Sequence, residues 1–361
     1  MLSLLKRQDW LLTASILVLL AASLVTLASI AEHFFIAQFL WAILGLVAML
    51  GVALMDIRPL ANHRAAVFIV YSLAIALLLA TFVFGTTIRH AKSWIVFGPV
   101  QFQTSEFAKL ALIIILAYFF SREHVGIARL GNIFRSALYF GFLAILVFFQ
   151  PDFGTVLVLF AIWAAFLLVS GIRWRHLLIG LVLLLCLGLI AWNGFLKPYQ
   201  KERLRAFADP QYDPLGVNYG VIQAKIAVGS AGVFGKGFKQ GTQVQLGFLP
   251  EATADFILPA FIEEWGLLGA AVLLAAFAIL VFRIIRIGLL SHNNFSKLLC
   301  LGAASMFLIQ FFFNAGSALG FLPVVGVTFP FFSYGGSSLL INMILVGILQ
   351  GIAIRASFFR E

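Results

Sequence analysis

Long apolar runs, punctuated by short polar stretches, dominate this chain. Ten of them approach the ~20 residues that a helix needs to cross a hydrocarbon core: 10–30, 34–55, 66–85, 105–120, 133–149, 155–170, 177–196, 258–282, 298–316 and 337–354. The pattern predicts an all-α polytopic membrane protein with about ten transmembrane helices. One polar connection, 197–257, is far longer than the others and separates the seventh run from the eighth. No linker, low-complexity tract or internal repeat divides the chain, so 1–361 reads as a single membrane domain with this large loop inside it.

Composition agrees with the pattern. Hydrophobic residues make up 63% of the 361 positions and charged residues 11%, where soluble domains carry about 25%. Mean hydropathy is +1.07. Cys186 and Cys300 lie in apolar runs without metal-ligand spacing, so neither a disulfide framework nor a zinc site is expected. The first run is too long for a signal-peptide core and reads as an uncleaved span.

The net charge of +10 raises the question of nucleic acid, but topology explains its distribution better. An even number of spans puts both termini on one side. The loops of that side hold Lys6, Arg7, Arg58, Arg64, Arg122, Arg129, Arg135, Arg173, Arg175, Arg283, Arg286, Lys297, Arg355 and Arg360, fourteen of the twenty-four basic residues. The short loops opposite hold only Arg89 and Lys92, while seven bases fall in the long connection. By the positive-inside rule the termini are cytoplasmic and the long loop is extracytoplasmic.

That loop opens with "KPYQKERLRAFADPQYDP", where Lys197, Lys201, Arg203 and Arg205 gather. Such a cluster attracts phosphate-bearing head groups or anchors a helix end by snorkelling, and both readings stay open. The following glycine-rich stretch fits no phosphate loop, because Ser230 and Gly237 stand where glycine and Ser/Thr are required. Nor does it fit a dinucleotide loop, because Gln240 replaces a glycine. No nucleotide cofactor is expected. What remains is an amphipathic segment, 219–228, suited to the membrane surface, and a backbone whose glycines serve turns or close approach.

Candidate chemistry sits at the ends of the spans. In "GFLPEATADFILPAFIEEWG", Pro259 suits the first turn of a helix and Asp255 lies at that helix's positive end. Such a carboxylate stays available to take a proton from a hydroxyl or to hold a divalent cation such as Mg or Mn; a plain helix cap is the alternative. Glu106 and Lys109 share a helix face and suit an ion pair or a site. Asp152 in "QPDFGT" suits a cap of the sixth helix. Glu263 and Glu264, a few turns below Asp255, point to different sides of their helix. Intramembrane charge is costly, so each of these is a functional candidate.

Six ordered motifs, "FQTSEFAKL", "QPDFGT", "IAVGSAGVFGKGFKQGTQ", "FLPEATADF", "EEWGLLGA" and "GVTFPFFSYGGSS", resemble the shape, elongation, division and sporulation (SEDS) family across most of the chain. Its members include RodA and FtsW, and the short tails are nearer the RodA pattern. The resemblance implies a peptidoglycan glycosyltransferase that polymerises lipid II into lipid-linked glycan on the outer face of the bacterial cytoplasmic membrane, for elongation and cell shape. It also implies partnership with a class B penicillin-binding protein and other elongation-complex membrane proteins. On the family pattern Asp255 matches an essential aspartate, and Glu106, Lys109 and Asp152 match polar positions of a central cavity. Thr253-Ala254 precedes the aspartate where the family has His-Thr, and Thr104 stands where it has proline.

Lys197, Lys201, Arg203 and Arg205, with Lys109, are then candidates to bind the substrate's diphosphate; Glu263 joins them as a substrate-site candidate. Ser333, in the last loop motif, is a candidate to touch substrate or to brace the catalytic loop. The rival readings are a flippase for the lipid-linked precursor and a non-enzymatic scaffold for the penicillin-binding protein.

Overall fold

The computed structural model describes residues 7–55, 62–88, 91–98, 100–123, 130–194, 196–209 and 211–357. Arg58, Arg89, Arg129 and Arg360, used above for topology, lie outside the described residues, as does Lys6. Each of the ten apolar stretches is occupied by a helix. These are α1 (Trp10–Ile30), α2 (Glu32–Leu54), α3 (Arg64–Phe84), α4 (Thr104–Arg122), α5 (Leu130–Phe149), α6 (Phe153–Val169), α7 (Trp174–Gly194), α11 (Ile257–Leu290), α12 (Asn294–Ala318) and α13 (Gly336–Ser357). Among the described residues, eight are long and apolar enough to cross a membrane; α6 is apolar but has only 17 residues.

Two features extend the all-helical expectation. Between α3 and α4 the chain forms a three-stranded antiparallel sheet, β1 (Thr86–Ile88), β2 (Ala91–Phe97) and β3 (Val100–Gln103). The long loop carries its own helices, α8 (Pro198–Ala208), α9 (Tyr219–Ser230) and the short α10 (Thr242–Gln245).

The bundle is held by close helix crossings and by a polar clasp. Gly45 and Gly347 let α2 and α13 approach until an added Cβ would meet Met343 or the backbone of Met49, the small-residue packing that membrane helices use in place of a hydrophobic drive. At the end that holds both termini, Asp9 caps α1 and receives Arg283 of α11, with Arg283 Nε 2.9 and 3.0 Å from its two oxygens. Gln350 of α13 donates to the Asp9 carbonyl at 2.9 Å and accepts from its N–H at 2.8 Å. One residue therefore ties three helices together.

At the opposite end α11 is broken. Gly266 has φ 68° and ψ −168°, which splits the helix into 257–265 and 267–290. A broken helix frees backbone groups that lipid cannot satisfy, and the glycine-rich loop satisfies them. Lys236 and Gly237 N–H donate to the carbonyls of Glu263 and Glu264 at 2.9 and 3.0 Å, while Leu267 and Leu268 donate to Gly232 and Val233, each at 3.1 Å. Glycine is required on both sides of this seam, since a Cβ at Gly235 would lie 2.2 Å from the Glu264 carbonyl oxygen.

Candidate functional site

Asp255 lies two residues before α11 and one before its N-cap, Phe256, so the positive end of segment 257–265 is directed towards it. It is half-buried. The strand around it is fixed from three sides. Ser333 Oγ donates to the Ala254 carbonyl at 2.8 Å and accepts from Phe329 N–H at 2.9 Å. Tyr334 N–H donates to the Thr253 carbonyl at 2.9 Å. Asn314 Nδ2 bonds the Val327 carbonyl at 3.0 Å and reaches those of Ala254 and Asp255 at 3.4 Å. The last loop motif thus braces the aspartate segment.

Helix α1 serves as a ruler for depth. Ser29, near its loop end, hydrogen-bonds Glu264. Six residues further in, about 9 Å at helical rise, Ser23 accepts from Gln38 Nε2, which also reaches the Ser333 carbonyl. Through Ser333, which holds Ala254, the aspartate segment is thus linked to α1 and α2. The expectation of one continuous span below Asp255 meets the Gly266 break, which separates segment 257–265, with Glu263 and Glu264, from the rest of that span.

Asp255 lines a cavity of about 430 Å³. Its walls come from α8 (Tyr199, Glu202, Arg203), α9 (Val221, Lys225), Glu251 beside the aspartate, and the turn from Gly320 to Val324. Helix α8 sorts its bases by face. Arg203 turns to the cavity and donates to the Val324 carbonyl at 3.2 Å. Lys201 and Arg205, four residues apart, both lie 5.9 Å from the Trp192 ring on α7, and Lys197 is the exposed N-cap. Of the four clustered bases only Arg203 lines the cavity. Burial pushes the Tyr199 phenol above its usual range, against the lowering pull of Arg203, and keeps it a neutral donor.

Helix α9 reaches the cavity because its inner face is small. Gly220, Ala224 and Ala227 are buried, and a Cβ at Gly220 would meet the Phe256 ring at 2.9 Å. The face beside it carries Val221 and Lys225. Lys225 was missed by the sequence reading, although it is the single charge of the segment 219–228 and one turn separates it from Val221.

The remaining candidates sit elsewhere. Glu106 and Lys109 form an ion pair at 2.8 Å, both nearly fully buried in α4. Asp152 caps α6 through Thr155 N–H at 3.1 Å, and its other oxygen accepts from Gln103, Ser105 and Thr155 side chains at 2.9–3.0 Å. It does not line the Asp255 cavity. Thr104, the departure from proline, shares a 2.7 Å hydrogen bond with Thr81.

Glu263 is fully buried and accepts from Lys236 at 2.7 Å, from Thr242 Oγ1 at 3.2 Å, and from Gln243 and Val244 N–H at 3.0 and 3.3 Å. It caps α10 and does not line the Asp255 cavity. Among the described residues no three His, Cys, Asp or Glu side chains gather at metal-ligating spacing.

Residues 3–357 match the cell cycle protein family FtsW/RodA/SpoVE. The peptidoglycan glycosyltransferase MrdB of Escherichia coli K12 is 37% identical over 309 residues, covering 86% of this chain and 82% of that protein. A probable peptidoglycan glycosyltransferase FtsW of Hydrogenovibrio crunogenus is 34% identical over 353 residues, covering 94% and 89%.

Among solved structures, a chain from a peptidoglycan synthase complex that coordinates polymerization and crosslinking superposes with a TM-score of 0.83 at 32% identity, covering 97% of this chain and 98% of that one. The rod shape determining protein RodA of Thermus thermophilus superposes with a TM-score of 0.71 at 28% identity, covering 96% of each. By its sequence and by its fold alike, this chain belongs to the FtsW/RodA/SpoVE family of cell cycle proteins.

Proposed function

We infer that this chain is a peptidoglycan glycosyltransferase that polymerises a lipid-linked disaccharide, lipid II, at the outer face of the bacterial cytoplasmic membrane. One observation carries the reading: Asp255 lines a single recessed cavity with Arg203, walled also by apolar Phe207, Leu215 and Val324. A sugar alcohol needs a proton acceptor, a diphosphate needs a cation, and a polyprenyl chain needs an apolar exit. The names of the relatives and the family membership support the same activity.

In the reaction the acceptor's 4-hydroxyl oxygen attacks the anomeric carbon of the donor. The bond from that carbon to the diphosphate oxygen breaks, and the electron pair leaves with the lipid diphosphate. Asp255 takes the hydroxyl proton, and Arg203 faces the charge that develops on the leaving group. The diphosphate leaves without protonation, so the paired carboxylates of sugar hydrolysis are not required. A divalent cation would be held on the protein side by Asp255 and would supply positive charge to the leaving diphosphate; no step above depends on it. The distribution of basic residues supports cytoplasmic termini, ten spans and a 197–257 loop on the outer side. A class B penicillin-binding protein is the proposed partner, in keeping with the synthase complex that the fold matches.

The test is reconstitution of the purified chain in liposomes with lipid II on the accessible side, alone and with its partner, scored for glycan strands. Strands from the native chain and none from Asp255→Asn are expected. Strands that persist in Asp255→Asn remove this aspartate from the mechanism, and their absence from an intact native complex overturns the activity.

A further inference from the structure

The Asp255 cavity contains an ammonium that no other described group engages. Lys225 enters from α9, is exposed, and among the described residues makes no hydrogen bond or ion pair. Three other lysines are committed: Lys92 to the Phe82 carbonyl, Lys109 to Glu106, Lys236 to Glu263. The tip of Lys225 rests in a notch made by an absent side chain. A Cβ at Gly320 would stand 2.6 Å from both its Cε and its Nζ, and Gly320 has φ +78°. Glycine is therefore demanded there twice, once by the backbone and once by the lysine.

Across the cavity, one nitrogen of Arg203 is held by the Val324 carbonyl, which leaves the rest of its fork available. Neither cation is ion-paired with Glu202 or Glu251, although both carboxylates line the same walls. With Asp255 these make three acidic groups, and a cavity with that balance repels a dianion unless both cations face it.

We propose that Lys225 and Arg203 form a two-cation clamp for the donor's diphosphate, with Gly320 supplying the notch that aims the lysine. The clamp rests on the glycosyltransferase reading and assigns one of its binding groups. Arg203 offers a planar fork to one phosphate and Lys225 a point charge to the other. Charge grows on the diphosphate as the bond to the anomeric carbon breaks, so the clamp strengthens in the transition state.

The experiment uses the full-length native chain, Lys225→Gln, Lys225→Arg and a surface control, Lys239→Gln. Strand formation from lipid II is measured with its partner present, and inorganic pyrophosphate is added as a competitor and, separately, as a ligand in thermal-shift titrations against inorganic phosphate. Pyrophosphate is expected to compete with lipid II and to raise the unfolding temperature of the native chain. Lys225→Gln is expected to weaken both effects by about ten- to hundredfold, the loss of one charge-assisted contact, with Lys225→Arg restoring part and Lys239→Gln behaving as native.

If Lys225→Gln makes strands as the native chain does and keeps its pyrophosphate response, the clamp is overturned while the activity stands. A native chain that makes no strands sinks the activity, and the titration still decides the clamp: equal pyrophosphate binding by native and Lys225→Gln chains refutes it. Unfolding temperatures without ligand distinguish either result from a folding defect.

Discussion

Segment 257–265 has acidic residues at both ends, and the two ends are built in opposite ways. At its start Asp255 is half-buried on a cavity wall, with its surrounding backbone fixed by Ser333 and Asn314. At its end Glu263 is sealed from solvent and accepts from four donors. Both are carboxylates at a membrane boundary, where charge is costly. The first is half-buried and borders the cavity, as the proposed proton acceptor must. The second is consumed by its own loop, as a brace must be. Intramembrane charge alone does not distinguish chemistry from architecture; whether the carboxylate borders a cavity or is sealed from it does.

Substitutions separate the two ends. The largest effect is expected at the cavity: Asp255→Asn lowers strand formation by about a hundredfold or more while leaving detergent-unfolding behaviour unchanged. At the sealed end the order reverses. Glu263→Ala strands Lys236 and the N–H groups of α10 and is expected to cost about 3 kcal/mol in unfolding titrations, with Glu263→Gln milder because the amide oxygen still accepts. Equal stability of native and Glu263→Ala chains would erase the distinction between the two ends.

Smaller effects refine it. Arg203→Gln is expected to raise the KM for lipid II about tenfold, whereas Lys201→Gln, which loses only a ring contact at Trp192, changes it far less; equal KM shifts would restore the whole basic cluster to the substrate site. Ser333→Ala is expected to destabilise by about 1 kcal/mol and to lower kcat through misplacement of Asp255, measured together by unfolding and turnover.

The bundle was largely readable from the chain, because apolar runs of span length have few other fates. The cap at Asp152 and the pair Glu106–Lys109 were readable too, since both depend on neighbours three residues away. What sequence spacing misses is whatever depends on the third dimension. Residues 91–97 and 100–103 form strands although no clean alternation marks them; Lys92 N–H and side chain find partners at Gln150 and Phe82. The break at Gly266 is invisible in "EEWGLLGA", because a glycine inside an apolar run reads as ordinary helix until another backbone is seen to replace its hydrogen bonds. The four bases of α8 look equivalent along the chain, yet periodicity turns one towards Asp255 and two towards Trp192.

The seam between residues 232–237 and the interrupted helix also constrains how the molecule is made. A nine-residue piece of helix is too short to be released into lipid as a span, and its neighbour's leading N–H groups have no partners of their own kind. The glycine stretch precedes the interrupted helix in the chain, so this helix completes its backbone hydrogen bonds only once the earlier segment has folded back and docked against it.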